Sequence, residues 1–261
     1  MRWIPIRFSI RERSSIWNRP RKADDGQPTV NNVQFPAQSH LRLHGYAVSN
    51  YFNIARAALL EKGVEFEVIT RRASQEPEFL ELSPMGKIPF LETPRGCIAE
   101  TVAILEFLED VLPEPRLHPR DPFERAKVRQ TINVVQMYVE VPARSLFPGV
   151  FMGGSNSEAT VAAARPVLAR AMRALRQLVA PGPFLLGPAL TYADLFAFYC
   201  LDIAERLSRF VYGESLLAQV DGLSGWSARM AQRDSARVVL AAFDEAFSDY
   251  LAEKNAVYRP A

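Results

Sequence analysis

LRLHGYAVSNYFNIARAALLEKGVEFEVI, residues 41–69, is the stretch that decides the fold. Leu41-Arg42-Leu43-His44-Gly45 is a short alternating run and reads as a strand. Ser49 then precedes a helical pattern in which Ile54, Ala55, Ala58 and Leu59 face one way, and Gly63, just past Lys62, is placed to stop that helix. Val64 to Ile69 alternates at period two, so it predicts a second strand. Strand, helix and strand in so short a span make a βαβ unit.

Downstream, a polar loop from Arg71 to Glu76 leads to a short helical segment around Phe79-Leu80. Lys87 to Glu92 and Gly96 to Ala99 read as two strands of a hairpin turned by Thr93-Pro94-Arg95. A helix is predicted from about Thr101 to Leu112, with Ile104, Leu105 and Leu108 as its buried stripe. The order β-α-β-α-β-β-α thus fills residues 41–112, and Pro113, Pro115 and Pro119 mark 113–120 as a linker. Everything from 121 to 255 reads as helix. Asp121 is an N-cap with Pro122 at the first helical position, followed by Val128, Ile132, Val135 and Val139 at helical spacing. Further helices are expected from Ser157 to Val179 across Pro166, from Thr191 onward, and between Gly225 and Leu251. The class expected is an α/β amino-terminal domain followed by an all-α helical domain.

Upstream, residues 1–40 show no sustained period and hold seven basic and three acidic side chains. They read as a disordered extension; an Arg-rich, Ser-containing start also suits a transit peptide, but no apolar core of a secretory signal is present. The whole chain has 31 basic and 29 acidic residues, leaving 24 and 26 in residues 41–261. That balance gives no electrostatic case for nucleic acid, whose affinity rests on phosphate neutralisation. The longest apolar run, Leu195–Leu201, falls far short of the ~18 residues of a membrane span. Cys97 and Cys200 lie in apolar stretches, which fits buried thiols in a reducing, cytoplasmic compartment. The three histidines are scattered, so no metal site is expected.

Three places carry candidate chemistry. Pro89 removes a ladder donor; either the Ile88–Pro89 bond is cis and turns the Ile88 backbone outward toward an extended peptide ligand, or this is an edge strand that tolerates proline. Glu100-Thr101 stands at the mouth of the third predicted helix, with Thr101 a natural N-cap. The pair suits a ligand with an α-ammonium and an α-carboxylate, or is an ordinary cap with its local acid. Ser49 joins the first strand to the first helix, where a hydroxyl and a helix terminus stabilise a thiolate or simply cap.

Taken together, these places resemble the cytosolic glutathione transferase family over roughly residues 41–255. The run from Gly45 to Asn50 with Ala58 to Gly63 looks like the family's first strand, catalytic turn and first helix. Ser83 to Leu91 is similar to its cis-proline motif, Glu100 to Ile104 to the element that grips the γ-glutamyl group, and Thr191 to Leu195 to its capping box, in which Asp194 reaches back to the cap. The resemblance implies a thioredoxin-like first domain, a homodimer, and glutathione as a substrate, with no other cofactor. It implies that Ile88, beside Pro89, pairs with the cysteinyl backbone, that Glu100 and Thr101 hold the γ-glutamyl ammonium and carboxylate, and that Lys87 meets the glycyl carboxylate. Ser49 would hydrogen-bond the sulfur; Asn50, standing where many members have proline, would donate a second hydrogen bond to it or only shape the turn, and Tyr46 is the rival. The Ser-Ser-Cys signature of maleylacetoacetate isomerases is absent. Met137 and Tyr138 would line the electrophile site, or are ordinary core. The expected activity is transfer of glutathione sulfur to a small, largely apolar electrophile. Glutathione-dependent disulfide or peroxide reduction, or a non-catalytic binding role, are the alternatives.

Overall fold

A computed structural model describes residues 40–259; the extension expected over 1–40 lies outside the described residues except for its last position. The strands are β1 (Leu41–Gly45), β2 (Phe66–Thr70), β3 (Phe90–Thr93) and β4 (Gly96–Ala99), in the order β2-β1-β3-β4. β1 and β2 are parallel, and the β1–β3 and β3–β4 pairs are antiparallel. With α1 (Asn50–Glu61), α2 (Pro77–Leu82) and α3 (Thr101–Val111), they form the expected β-α-β-α-β-β-α domain.

Two strands are shorter than the alternation suggests. Val64 is taken into the end of α1, where Gly63 at φ 64° lets its own N–H reach Leu60 O at 3.0 Å and the Val64 N–H reach Leu59 O at 3.4 Å. This double closure satisfies carbonyls that the helix end leaves over, so β2 starts at Phe66 as an edge strand. Lys87 to Pro89 stay out of β3, and the Ile88–Pro89 bond is cis.

α1 is buried on both sides. Leu41 and Leu43 of β1 lie in the same core as its Ile54, Ala55, Ala58 and Leu59, and the helix also packs on α3 and on the helical domain. Three alanines, Ala55, Ala57 and Ala58, permit that close double contact. Beyond α3, Lys62 sends its buried Nζ to Glu109 Oε2 at 2.6 Å and to the carbonyls of Leu112 and Pro115, so α1 fastens the proline-rich connection.

The helical domain consists of α4 (Pro122–Val134), a π-helical segment (Val135–Glu140), α5 (Val141–Arg144), α6 (Phe147–Phe151), α7 (Glu158–Leu178), α8 (Tyr192–Tyr212), α9 (Leu223–Ala231) and α10 (Asp234–Glu253), with a 3-10 turn at Leu217–Gln219. Asp121 caps α4 by accepting from the Glu124 N–H at 2.9 Å, and α7 continues through Pro166. The unbroken helix expected through Val139 is interrupted. Val128, Ile132, Val135 and Val139 are all buried, but the Val141 N–H reaches back five residues to Gln136 O. Pro142 gives the reason: it has no N–H to offer the preceding turn, and its ring would crowd a carbonyl there.

α8 runs through the middle of this domain. Asp194, fully buried near its start, accepts four hydrogen bonds: from the Leu185 N–H (2.7 Å), the Thr191 N–H (3.0 Å), the Thr191 hydroxyl (2.9 Å) and Trp226 Nε1 (3.0 Å). The capping carboxylate thereby ties the start of α8 to the preceding loop and to α9. Cys200 is buried on α8, whereas Cys97 on β4 is half-buried rather than enclosed. No described helix is long and apolar enough to cross a membrane.

Candidate functional site

A cleft of about 210 Å³ opens between the two domains. The first domain contributes Ser83, Lys87, Ile88, Pro89, Glu100 and Thr101, together with Tyr51 from α1. The second contributes Gln136 and Glu140 from the π-helical segment and Val141 and Arg144 from α5.

The loop into β3 is fixed by its own hydrogen bonds. Ser83 Oγ donates to Lys87 O at 2.7 Å, and the Gly86 N–H donates to Ser83 O at 2.7 Å. Gly86 sits at φ 65°, and a Cβ there would fall 2.3 Å from Ser74 O, so both backbone and space require glycine. This loop brings Lys87, Ile88 and Pro89 to the cleft.

Glu100 connects β4 to α3 at φ 68°, a conformation that costs a non-glycine residue ~1–3 kcal/mol. α3 begins at Thr101, one residue earlier than an N-cap threonine would place it. Its cap residue, Glu100, gives no side-chain hydrogen bond to the helix, and the Thr101 hydroxyl reaches Tyr51 O at 3.5 Å. The first amides of α3 therefore have no side-chain cap, next to an exposed carboxylate. Neither Glu100 nor Lys87 has an ion-pair or hydrogen-bond partner for its side chain among the described residues. An unpaired cation, an unpaired anion and a helix amino terminus around one cleft suit a ligand carrying carboxylates and an ammonium.

The β1–α1 turn leads into Tyr51 of the cleft wall, but Tyr46, Ser49 and Asn50, the residues expected at the sulfur, are not among those lining the cleft. Gly45 admits the Phe52 ring: a Cβ there would stand 2.2 Å from Phe52 Cδ2. Asn53 Nδ2 donates to Ala47 O at 2.8 Å and pins the turn. Ser49 caps α1 by accepting from the Phe52 N–H at 3.3 Å, which leaves its own hydroxyl proton uncommitted.

The other two candidates for the sulfur have different surroundings. Asn50 is buried, and both ends of its amide are used: Oδ1 accepts from Arg144 Nη2 at 2.8 Å, while Nδ2 donates to Glu140 Oε1 at 3.4 Å and to Cys200 Sγ at 3.5 Å. The second hydrogen bond to sulfur expected from it finds both of its protons engaged. Tyr46 donates from its hydroxyl to Ala246 O at 3.3 Å and lies under the Arg72 guanidinium, 4.6 Å from the ring, so its phenol belongs to the α10 contact. Burial raises the Cys200 thiol well above its ordinary pKa, and burial raises that of Cys97 too, so neither is poised as a thiolate.

Met137 and Tyr138 are half-exposed or more and are not among the residues lining the cleft. The π-helical segment shifts the register, and Gln136 and Glu140 are its residues at the cleft instead. Sequence reasoning missed these two, and also Tyr51 and Arg144. One signal was present: Glu140 is the only acidic residue between Glu124 and Glu158, with Arg144 four residues on. Glu140 is 2% exposed; its Oε2 accepts from the Tyr51 hydroxyl at 2.8 Å and its Oε1 from Arg144 Nε at 2.7 Å. Burial, with the Glu140 charge next in effect, raises the Tyr51 phenol far above its usual pKa, so it remains a neutral donor. Among the described residues no cluster of histidine, cysteine or carboxylates is arranged to hold a metal.

Comparison with known proteins agrees with this architecture. The family models for the glutathione S-transferase N-terminal and C-terminal domains match residues 43–116 and 158–229. A curated glutathione S-transferase of Pseudomonas putida is 39% identical over 178 residues, covering 68% of this chain and 81% of that protein. The maleylacetoacetate isomerase of Mus musculus is 28% identical over 172 residues, covering 63% and 78%. A solved glutathione S-transferase of Rhodospirillum rubrum matches with a TM-score of 0.66 and 26% identity, over 77% of this chain and 91% of that one. With its thioredoxin-like first domain, its helical second domain and these matches to both, the chain belongs to the cytosolic glutathione S-transferase family and is a glutathione transferase.

Proposed function

We propose that this enzyme binds glutathione along the Lys87–Pro89 loop and the start of α3, and lowers the pKa of its thiol for attack on a small electrophile. The observation that carries the proposal is the pair of unpartnered charges, Lys87 and Glu100, that line one cleft with the uncapped start of α3. On this reading Lys87 meets the glycyl carboxylate and the Ile88 backbone pairs with the cysteinyl unit. Glu100 takes the γ-glutamyl ammonium, and Thr101 with the α3 amides takes the γ-glutamyl carboxylate. The Ser49 hydroxyl, free to donate, faces the sulfur at the start of α1, where the helix dipole adds to the stabilisation. The thiolate forms a bond from sulfur to the electrophilic carbon, the displaced group departs, and the thiol proton goes to solvent. Glutathione is consumed as a substrate, and the scheme requires no metal or organic cofactor.

With no thiolate-prone cysteine lining the cleft, a reductive reaction there would run by direct attack of the glutathione thiolate on disulfide sulfur or peroxide oxygen, without a protein mixed disulfide. The homodimer belongs to the proposal as well; the exposed apolar side chains of Met85, Phe123, Met137 and Tyr138 are suited to a contact with a second copy. The setting proposed is the cytoplasm.

Two substitutions test the assignments separately. Glu100→Ala removes a charged hydrogen bond made to substrate before and during reaction, so glutathione affinity should fall roughly tenfold or more while turnover at saturation changes little. Ser49→Ala should shift the pH–rate profile of the bound thiol upward with modest loss of affinity. A Glu100→Ala enzyme of unaltered affinity, or an unmoved profile in Ser49→Ala, contradicts the corresponding role.

A further inference from the structure

We infer that the electrophile taken by this cleft carries an anionic group of the carboxylate class, bound by Arg144 with Gln136 as a second donor. The inference rests on the glutathione reading above, which uses the first-domain wall of the cleft and leaves the wall formed by Gln136, Val141 and Arg144 to the second substrate.

Arg144 is built for such a role. Its Nε donates to Glu140 Oε1 at 2.7 Å, and its Nη2 donates to the same oxygen and to Asn50 Oδ1 at 2.8 Å. The guanidinium carbon lies 4.6 Å from the Phe147 ring centroid and 5.5 Å from that of Tyr51. One edge of the planar group is thus held by hydrogen bonds and its faces are packed. Nη1 is the part with no partner among the described residues, and the side chain is 43% exposed where it lines the cleft. A guanidinium fixed in this way offers its free N–H groups to a carboxylate with little ordering left to do.

Glu140 does not cancel that offer. It is 2% exposed and already receives Tyr51, Asn50 and Arg144, so it acts as the buried anchor that sets the guanidinium's direction. Gln136, half-buried on the same wall, has a carboxamide with no partner among the described residues. Two unused donors therefore face a cleft whose only other free charges are assigned to glutathione. The electrophile expected from sequence to be largely apolar gains a polar handle, while Tyr51 and Val141 supply the apolar contact.

Calorimetric titration with three stable glutathione derivatives tests this directly. S-methylglutathione reads the glutathione half alone; S-(p-carboxybenzyl)glutathione and S-(p-carbamoylbenzyl)glutathione differ only in charge at the far end of the ring. The wild-type protein should bind the carboxyl derivative about tenfold more tightly than the carbamoyl one, a difference of ~1.4 kcal/mol. In Arg144→Gln that ratio, taken within the variant itself, should fall to near one, and Arg144→Lys should keep part of it. If S-methylglutathione binds but the wild type does not distinguish the other two, or if Arg144→Gln keeps the preference, the anion site is refuted and the glutathione reading stands. Failure of S-methylglutathione to bind the wild type refutes the glutathione reading, and the inference with it.

Discussion

Asp194→Ala is expected to lower the unfolding free energy by about 3–5 kcal/mol. The carboxylate is fully buried and accepts from two backbone amides, one hydroxyl and one indole. Alanine leaves those donors enclosed without partners. It also releases the start of α8, the helix against which α1, α4 and the π-helical segment all pack. For a domain of this size the loss corresponds to a fall of about 10 °C in the melting temperature. Denaturant titration of both proteins gives the comparison. A change below 1 kcal/mol would mean that the four contacts do not persist in solution.

The second large effect is expected at Glu140. It is the buried point where the two domains share a polar network, holding Tyr51 and Asn50 of α1 and Arg144 of α5. Glu140→Ala should cost about 2–3 kcal/mol, less than a fully enclosed pair because Arg144 is 43% exposed and regains water. Glu140→Gln, which keeps the shape and one acceptor oxygen, should recover part of the loss. Because Tyr51 and Arg144 both line the cleft, kcat/KM for the electrophile should fall further in Glu140→Ala than stability alone explains. A variant that is destabilised but keeps full kcat/KM would assign Glu140 to folding only.

These two carboxylates also show what the chain discloses before it folds. Asp194 was legible because a capping box is local: Thr191 and Asp194 are three residues apart, and the motif states its own geometry. The same holds for the Asp121 cap, for Gly63 after α1, and for the alternation that gives β1. Lys87, Ile88, Pro89, Glu100 and Thr101, which line one cleft, were legible as a set because their loop and helix-start motifs each occupy a few consecutive positions.

Glu140, Tyr51, Gln136 and Arg144 were not legible in that way, since their roles arise only where two domains meet. The helical period through Val128, Ile132, Val135 and Val139 correctly gave the buried face, yet it could not register the bulge before Pro142 that brings Gln136 and Glu140 to the cleft while Met137 and Tyr138 stay exposed. Asn50 illustrates the same limit. Its position beside Ser49 suggests a sulfur ligand, but partners on α5, α8 and the π-helical segment, ninety or more residues away, take its amide.

The most direct test of the central claim is the ultraviolet absorbance of thiolate in mixtures of glutathione and this protein, scanned against pH. A free thiol ionises near ~8.5. Bound at the start of α1 with the Ser49 proton available, it should ionise about two units lower, equivalent to ~2.7 kcal/mol of preference for the charged form. Thiolate appearing in that lower range, and shifted back upward in Ser49→Ala, is the predicted result. A saturable complex whose thiol still titrates near ~8.5 would contradict the account of activation while leaving the binding cleft in place.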